Sequence, residues 1–427
     1  MSYGPSNLRP SEPAILAHLV ERHAQEAAFL WQLRDEAARS PAHDLESLSR
    51  LDERVEANLD GLRIAGEAGW EISRAALAAP RSGEVFAATV LAVERRDAQG
   101  LAEILARAVP SPKLARAVVS ALGWVPWTRV EPILGELLAG DAPRDLHVFG
   151  IAGAAAHRRN PSLSLGDALQ SGDPRITARA LRAIGELGQT RWTPELRREM
   201  ESDDEGCRFW AAWSAGLVAV PGAHDVLWTI ARGRGPFAER ACDMMMRCLE
   251  VSFARARVRE LAADMANLRT ALVGAAALGD PALVPWLIEC MAIPAQARFA
   301  GWAFTMITGA SLTADKLEGR APSGFRAGPT DDPEDEHVAM DPDRGLPWPD
   351  VAAVRAHWDR RGPDLDKGER LLLGQPLTRV WLKQVLRGGS QPARAAAALE
   401  SAVLRPGQPL FAVRAPALRQ ERALLPG

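Results

Sequence analysis

Arginine and tryptophan recur at helical spacing through the middle of the chain, and they are the side chains with the most to offer a ligand. Lys113 and Arg116, Arg144 and His147, Arg175, Arg179 and Arg182, Trp210 and Trp213, and Arg240 with Arg247 follow one another in successive segments. A guanidinium group presents a planar fork of donors that matches carboxylates and phosphates, and an indole adds large contact area with one N–H. Aligned on one side, these groups would form a basic and aromatic ridge suited to an acidic peptide or a phosphate-rich partner. A plain structural reading stands beside this one, with solvated arginines and tryptophans that fill gaps between helices. The partner-binding candidates are Arg116, His147, Arg175, Arg179, Arg182, Trp210, Trp213 and Arg240.

Nothing else in the chain has the spacing of a reaction centre. No phosphate-cradling G-x-x-x-x-G-K-[ST], no dinucleotide G-x-G-x-x-G between a strand and a helix, and no nucleophile elbow G-x-S-x-G is present. His18 and His23 are five residues apart, so they share a helix face poorly and read as a polar edge rather than a metal pair. Asp341, Asp343 and Gly345 resemble part of a calcium loop, but the remaining ligand positions are unfilled, which favours a solvated linker. The acidic run Asp331-Asp332 and Glu334-Asp335-Glu336-His337 reads as a soluble charge cluster that could meet a basic partner. Cys207, Cys242, Cys248 and Cys290 form no C-x-x-C pair and no zinc spacing, so buried free thiols are expected. The reading is of a protein that is not an enzyme, with no cofactor and no metal.

The elements that would position the ridge repeat at a fixed offset. Stepping by 31 residues from Pro174 reaches Pro112, Pro143, Glu205 and Pro236. The same step from Leu196 reaches Leu134, Leu165, Leu227 and Val258, and from Gly185 it reaches Gly123, Ala154 and Gly216. Proline in a first helical turn loses no hydrogen bond, and Asp173 or Ser111 just before it can cap the free N–H groups. Ala180, Leu181, Ala183 and Ile184 make one apolar face on the helix that follows. A single helical pair cannot bury that face alone, so the pairs must stack into an all-α solenoid.

Composition agrees. Of 427 residues, 6% are aromatic and one is tyrosine, and a net charge of −3 argues against coating nucleic acid through bulk charge. The N-terminus lacks the basic and apolar pattern of a signal peptide, and the longest apolar run, Ala271 to Gly279, is too short to span a bilayer. A cytoplasmic protein is expected. Along the chain, residues 1–79 read as an N-terminal helical hairpin cap, 80–310 as the repeat solenoid, and 311–350 as a flexible acidic insertion rich in Pro and Gly. Residues 351–427 read as a further helical repeat and a tail. Gln391-Pro392-Ala393-Arg394 restores the repeat opening there, and Gly407 to Pro416 is expected to lie extended on the last pair.

Asp173-Pro174, and Asp204 with Arg208, resemble the opening of the second helix in HEAT-like repeats. In such solenoids the second helices usually line the concave surface, which would place the ridge there. Two longer stretches are more distinctive: Leu51-Asp52-Glu53-Arg54-Val55-Glu56-Ala57-Asn58-Leu59-Asp60-Gly61-Leu62, and Leu371-Leu372-Leu373-Gly374-Gln375-Pro376-Leu377 preceding Gln391 to Gln408, Pro409-Leu410-Phe411 and Arg414-Ala415-Pro416. Together they resemble an uncharacterised bacterial family of HEAT-like proteins encoded near type VI secretion genes. That resemblance implies a HEAT-like α-solenoid and a scaffold or adaptor whose protein partner is a secretion component or effector. It implies no catalytic residues. A nucleic-acid-binding solenoid is the alternative.

Overall fold

Three of the repeats open with a side-chain cap just before the first helical turn. Ser111 accepts from the N–H of Leu114, Asp173 from that of Arg175 and Asp204 from that of Cys207. The 31-residue step lands on the first helical residue at Pro112, Pro174 and Glu205, and Pro143 is itself an N-cap. Pro236 falls just short of a helix that starts at Ala238. The computed structural model describes residues 16–161, 163–328, 340–365 and 368–425. Among them are 22 α-helices, and the described residues form two compact units.

The first unit comprises residues up to Arg34 together with Arg50–Val130. It draws on α1 (Ala17–Ala37), α2 (Leu45–Ile64), α3 (Glu67–Ala75), α4 (Ser82–Arg95), α5 (Ala98–Ala108), α6 (Pro112–Trp124) and the start of α7 (Trp127–Leu137). Within it α6 lies along α4, with α5 packed against both. Trp31 stacks on Phe86 at 5.0 Å, and Trp124 meets the same ring edge-on at 5.4 Å. Trp124 also donates its indole N–H to Glu56 at 2.7 Å, so this tryptophan is a packing wedge that ends a helix. His23 turns inward to Asn58, at 3.0 Å.

The second unit comprises Asp35–Ser49 and Glu131 onward. Six helices stack in sequence as one row: α8 (Arg144–Ala156), α10 (Pro174–Glu186), α12 (Glu205–Leu217), α14 (Ala238–Cys248), α16 (Leu268–Leu278) and α18 (Pro294–Thr308). A second row packs against them, made of α9 (Leu163–Leu169), α11 (Thr193–Glu199), α13 (Ala223–Arg232), α15 (Val251–Ala262) and α17 (Val284–Cys290). The small residues of the 31-residue register explain the close stacking. A Cβ added at Gly185 would collide with Ser214 of the next helix, so α12 packs directly against the bare backbone of α10. Leu165, Leu196, Leu227 and Val258, the large apolar column, are all buried between the rows.

The C-terminal part corrects two expectations. It contains α19 (Val351–Arg361), a hairpin of β1 (Leu371–Leu372) and β2 (Gln375–Pro376), α20 (Arg379–Gly388), α21 (Gln391–Val403) and α22 (Ala417–Leu424). Gln391-Pro392-Ala393-Arg394 does not add a repeat to the end of the stack: α21 pairs with α20 and packs across α12 and α14. Nor does the tail lie on the last pair. The segment runs back along the C-terminal ends of the first row. Leu373 and Gly374 donate to the carbonyls of Met306 and Ile307 at the end of α18, and Leu371 donates to Gly279 at the end of α16. Arg370 reaches the carbonyls of Ala277, Leu278 and Arg247, and Leu410 donates to that of Glu186 at the end of α10. The last carbonyls of a helix have no intrahelical donor, and this strap supplies donors to one helix after another.

The strap is tied to the turn 35–49 as well. Gln391 donates its backbone and side-chain N–H groups to the carbonyls of His43 and Asp44, and Arg414 pairs with Asp35 at 3.0 Å. The stretch around Asp341 and Asp343 is a third correction to the sequence reading. Asp343 is 4% exposed and takes a two-pronged contact from Arg269 at 2.8 and 2.9 Å, while Asp341 pairs with Arg298 at 2.7 Å. It is thus an ion-paired anchor and not a solvated linker. Backbone bonds from Gly319 to Trp348 and from Asp350 to Leu317 join the two sides of the same region. The acidic run at 331–337 lies outside the described residues.

Candidate functional site

The proposed ridge resolves into one tight cluster and several outliers. The cluster sits on the C-terminal half of α10 and its neighbours. Helical spacing puts Arg179, Arg182 and Glu186 on one side of α10. Arg179 pairs with Glu186 at 2.7 Å and Arg182 pairs with the other carboxylate oxygen at 2.9 Å. Arg182 also lies over the Trp210 ring of α12, 4.7 Å from its centroid. Trp210 meets Trp213 edge-on at 5.4 Å, and both rings are half-buried. Phe209 stacks on Phe237 at 4.5 Å behind them. Four ridge candidates, Arg179, Arg182, Trp210 and Trp213, are therefore in one place.

The others are not part of it. Arg175 is exposed at the start of α10 and pairs with Asp145 and Asp173 at 3.0 and 2.9 Å. His147 is half-buried, its ring 3.3 Å from the carbonyl of Ala139. Arg240 is exposed in the first turn of α14. Arg116 belongs to α6 and the first unit. Arg247, which the spacing placed in the same ridge, is buried, with its guanidinium bound to Asp243 at 2.7 Å and to Glu400 of α21 at 2.6 Å.

Three participants escaped the sequence reading. Arg158 follows α8 in a left-handed conformation, φ 56°, and its guanidinium donates to the carbonyls of Ala155 and Leu410. That turn sends it back toward α10, where it senses the charges of Glu186, Arg179 and Arg182. Glu186 is the carboxylate that Arg179 and Arg182 pair with and on which the charge of Arg158 also acts. Arg419 of α22 senses the charge of Arg158 in turn. No local or periodic pattern marks Arg158 or Arg419, because the reversed strap brings the end of the chain to α8 and α10. Glu186 was readable as an i+4 partner of Arg182.

The electrostatics of the cluster are lopsided. Burial pushes the guanidinium pKa values of Arg158 and Arg179 down, and the neighbouring arginines push the same way against Glu186. Burial alone would raise the Glu186 carboxyl. The charges of Arg179, Arg182 and Arg158 outweigh it and hold that group well below the usual carboxylate range. The Nε and one terminal nitrogen of Arg179 are buried and meet no acceptor from the protein. These groups can bind and orient an anion. They include no nucleophile with a base beside it.

The remaining chemistry-bearing groups read as structural. Burial raises all four thiols, Cys207 up to about 12 and Cys248 and Cys290 up to about 11, so none is an activated nucleophile. In the first unit a hollow of about 280 Å³ is lined by Glu21, Gln25, Ser73, Arg81 and Glu84 among alanines. Arg81 and Glu84 pair with each other there. No helix among the described residues is long and apolar enough to cross a membrane.

Comparison with curated proteins and with solved structures returns no match. Residues 162–246, which run from α9 through most of α14 and hold the Arg179–Trp210 cluster, match a sequence model of HEAT repeats. With the two stacked rows of helices around that stretch, the chain carries an all-α HEAT-like solenoid.

Proposed function

We propose that this protein is a non-enzymatic scaffold or adaptor that holds a protein partner on the α10–α12 face. HEAT-like repeats commonly mediate protein interactions and are typically non-catalytic. The observation that carries the reading is the half-exposed Arg182 laid over Trp210, with Trp213 and Arg179 beside it. Arginine and tryptophan held in a fixed pose lose little side-chain entropy on binding, which is what an interface anchor needs. Arg175, Arg240 and His147 would form the outer part of that contact, and Arg116 a separate one. The resemblance at Leu51–Leu62 and Leu371–Pro416 supports a setting beside a type VI secretion system, with a component or effector of that system as the partner, and the free buried thiols suit a reducing cytoplasm.

Affinity purification of the tagged full chain from its native cells, followed by mass spectrometry, tests this. Wild type should recover specific proteins, secretion components among them, and Trp210→Ala/Trp213→Ala should lose them. Partners that persist with the double variant would move the site elsewhere. Recovery of nucleic acid alone, released steeply by salt, would replace the scaffold with the nucleic-acid-binding alternative.

A further inference from the structure

The arginine cluster has a more specific chemistry than a general basic surface. Arg179 and Arg182 each pair with Glu186, and Arg158, held by the Leu410 and Ala155 carbonyls, lies close enough for its charge to act on the same carboxylate. Both oxygens of Glu186 are engaged, one by Arg179 and one by Arg182. Two nitrogens of Arg179, Nε and one terminal nitrogen, are buried and have no acceptor from the protein. Leaving buried donors unmade is costly, and charge-bearing donors more so. Arg247 of α14, by contrast, has its donors taken up by two carboxylates, Asp243 and Glu400.

We infer that Arg158, Arg179 and Arg182 form an oxyanion site whose ligand is a phosphoryl dianion, with Glu186 as the resident carboxylate that holds the arginines open. Several features select this ligand. Arg179 and Arg182 carry more donors than the Glu186 carboxylate engages, whereas the three terminal oxygens of a phosphoryl group can accept several at once. The doubly charged ion offsets the excess of three arginines over one glutamate. Arg182 is 43% exposed and Arg179 12%, so the site grades from solvent into the protein along one helix face. The Trp210 ring under Arg182 fixes the outer guanidinium without using its donors.

The inference uses the face assigned above to the protein partner, and it names what that face would recognise: a phosphorylated side chain, or free phosphate acting alone. The two sources share the same chemistry. The purified full chain is titrated calorimetrically with inorganic phosphate and, separately, with a phosphoserine peptide and its unphosphorylated twin, at constant ionic strength set with chloride. Saturable binding at one site is expected, at least about tenfold weaker in Arg179→Gln and stronger in Glu186→Gln, where the competing carboxylate is gone. A phosphopeptide that binds more tightly than phosphate identifies a modified protein as the source, and equal affinity identifies the free ion. Absence of saturable heat with either probe, or equal binding by wild type and Arg179→Gln, overturns the site. If Arg179→Gln fails to fold, Arg182→Gln takes its place, because that residue is nearly half in solvent. The titration needs no partner and the purification needs no phosphate, so the two readings fail separately.

Discussion

Two arginine clusters lie at the ends of α10 and α14 in the first row, with α12 between them, and they are built to opposite rules. At the end of α14, Arg247 is almost wholly covered. It is bound by Asp243 on its own helix and by Glu400 from α21, and Glu400 also takes Arg370 from the strap. Burial would lower the Arg247 pKa, but the two carboxylates outweigh it and raise it. At the end of α10 the proportions are inverted, with several arginines to one carboxylate and burial winning at Arg158 and Arg179. Both clusters touch the C-terminal strap. The difference is that α21 brings an acid to one, whereas the segment around Leu410 brings only backbone to the other. A basic residue at a helix end is thus structural or available according to what the strap delivers.

The largest expected effect tests the closed cluster. Glu400→Ala strips the interhelical acid from Arg247 and Arg370 and leaves a guanidinium with 5% side-chain exposure short of charge. Breaking a buried pair from one side costs about 3–5 kcal/mol. Urea denaturation should show a midpoint shift of that size. A loss below about 1 kcal/mol, the range of exposed pairs, would mean the two clusters are not as different as their geometry implies.

The strap itself can be loosened without touching a charge. Gly279 adopts φ 71° at the end of α16, and a Cβ there would meet the Leu371 carbonyl. Gly279→Ala both strains the backbone and pushes on the strap, for about 1–3 kcal/mol. Thermal unfolding reads the total, and limited proteolysis should show earlier cleavage between 368 and 425 than in wild type.

Glu186 separates the clusters by pH. Its folded carboxyl is held below its ordinary value of 4.5. Its contribution is therefore present above that value and is lost as pH falls below it. Roughly 2 kcal/mol of acid-sensitive stability should be traceable to this group, as a flatter loss below pH 4.5 in Glu186→Gln when urea midpoints are compared across pH. Equal slopes in the two proteins would remove Glu186 from the centre of the open cluster.

How much of this was readable beforehand depends on sequence distance. The caps at Ser111, Asp173 and Asp204 and the buried leucine column are local or periodic, and they stand in the structure where the 31-residue register put them. The juxtaposition of Arg182 with Trp210 follows from stacking consecutive units, so the ridge reading found it. What failed were contacts that no period encodes. One more step of 31 from Gly216 lands on Arg247, where the small-residue column ends and a charged side chain turns to Glu400, more than 150 residues away. The reversed course of the strap rests on backbone donors meeting helix-end carbonyls, and backbone donors carry no residue signature. Arg158 and Arg419 joined the site through that same reversal.

The smallest expected change in stability is the sharpest test of the comparison. Arg182 is 43% exposed and pairs with a carboxylate that Arg179 also holds, so its removal leaves Glu186 served. Exposed ion pairs contribute about 0.2–1 kcal/mol, and the contact with Trp210 adds a similar amount at such a site. Arg182→Ala should therefore unfold within about 1–2 kcal/mol of wild type while partner recovery and phosphate affinity both fall. The mirror variant, Arg370→Ala, should unfold sooner and leave phosphate affinity unchanged. If Arg182→Ala instead lost stability on the scale of Glu400→Ala with binding intact, the α10 cluster would be a second closed cluster, and its arginines would serve the fold alone.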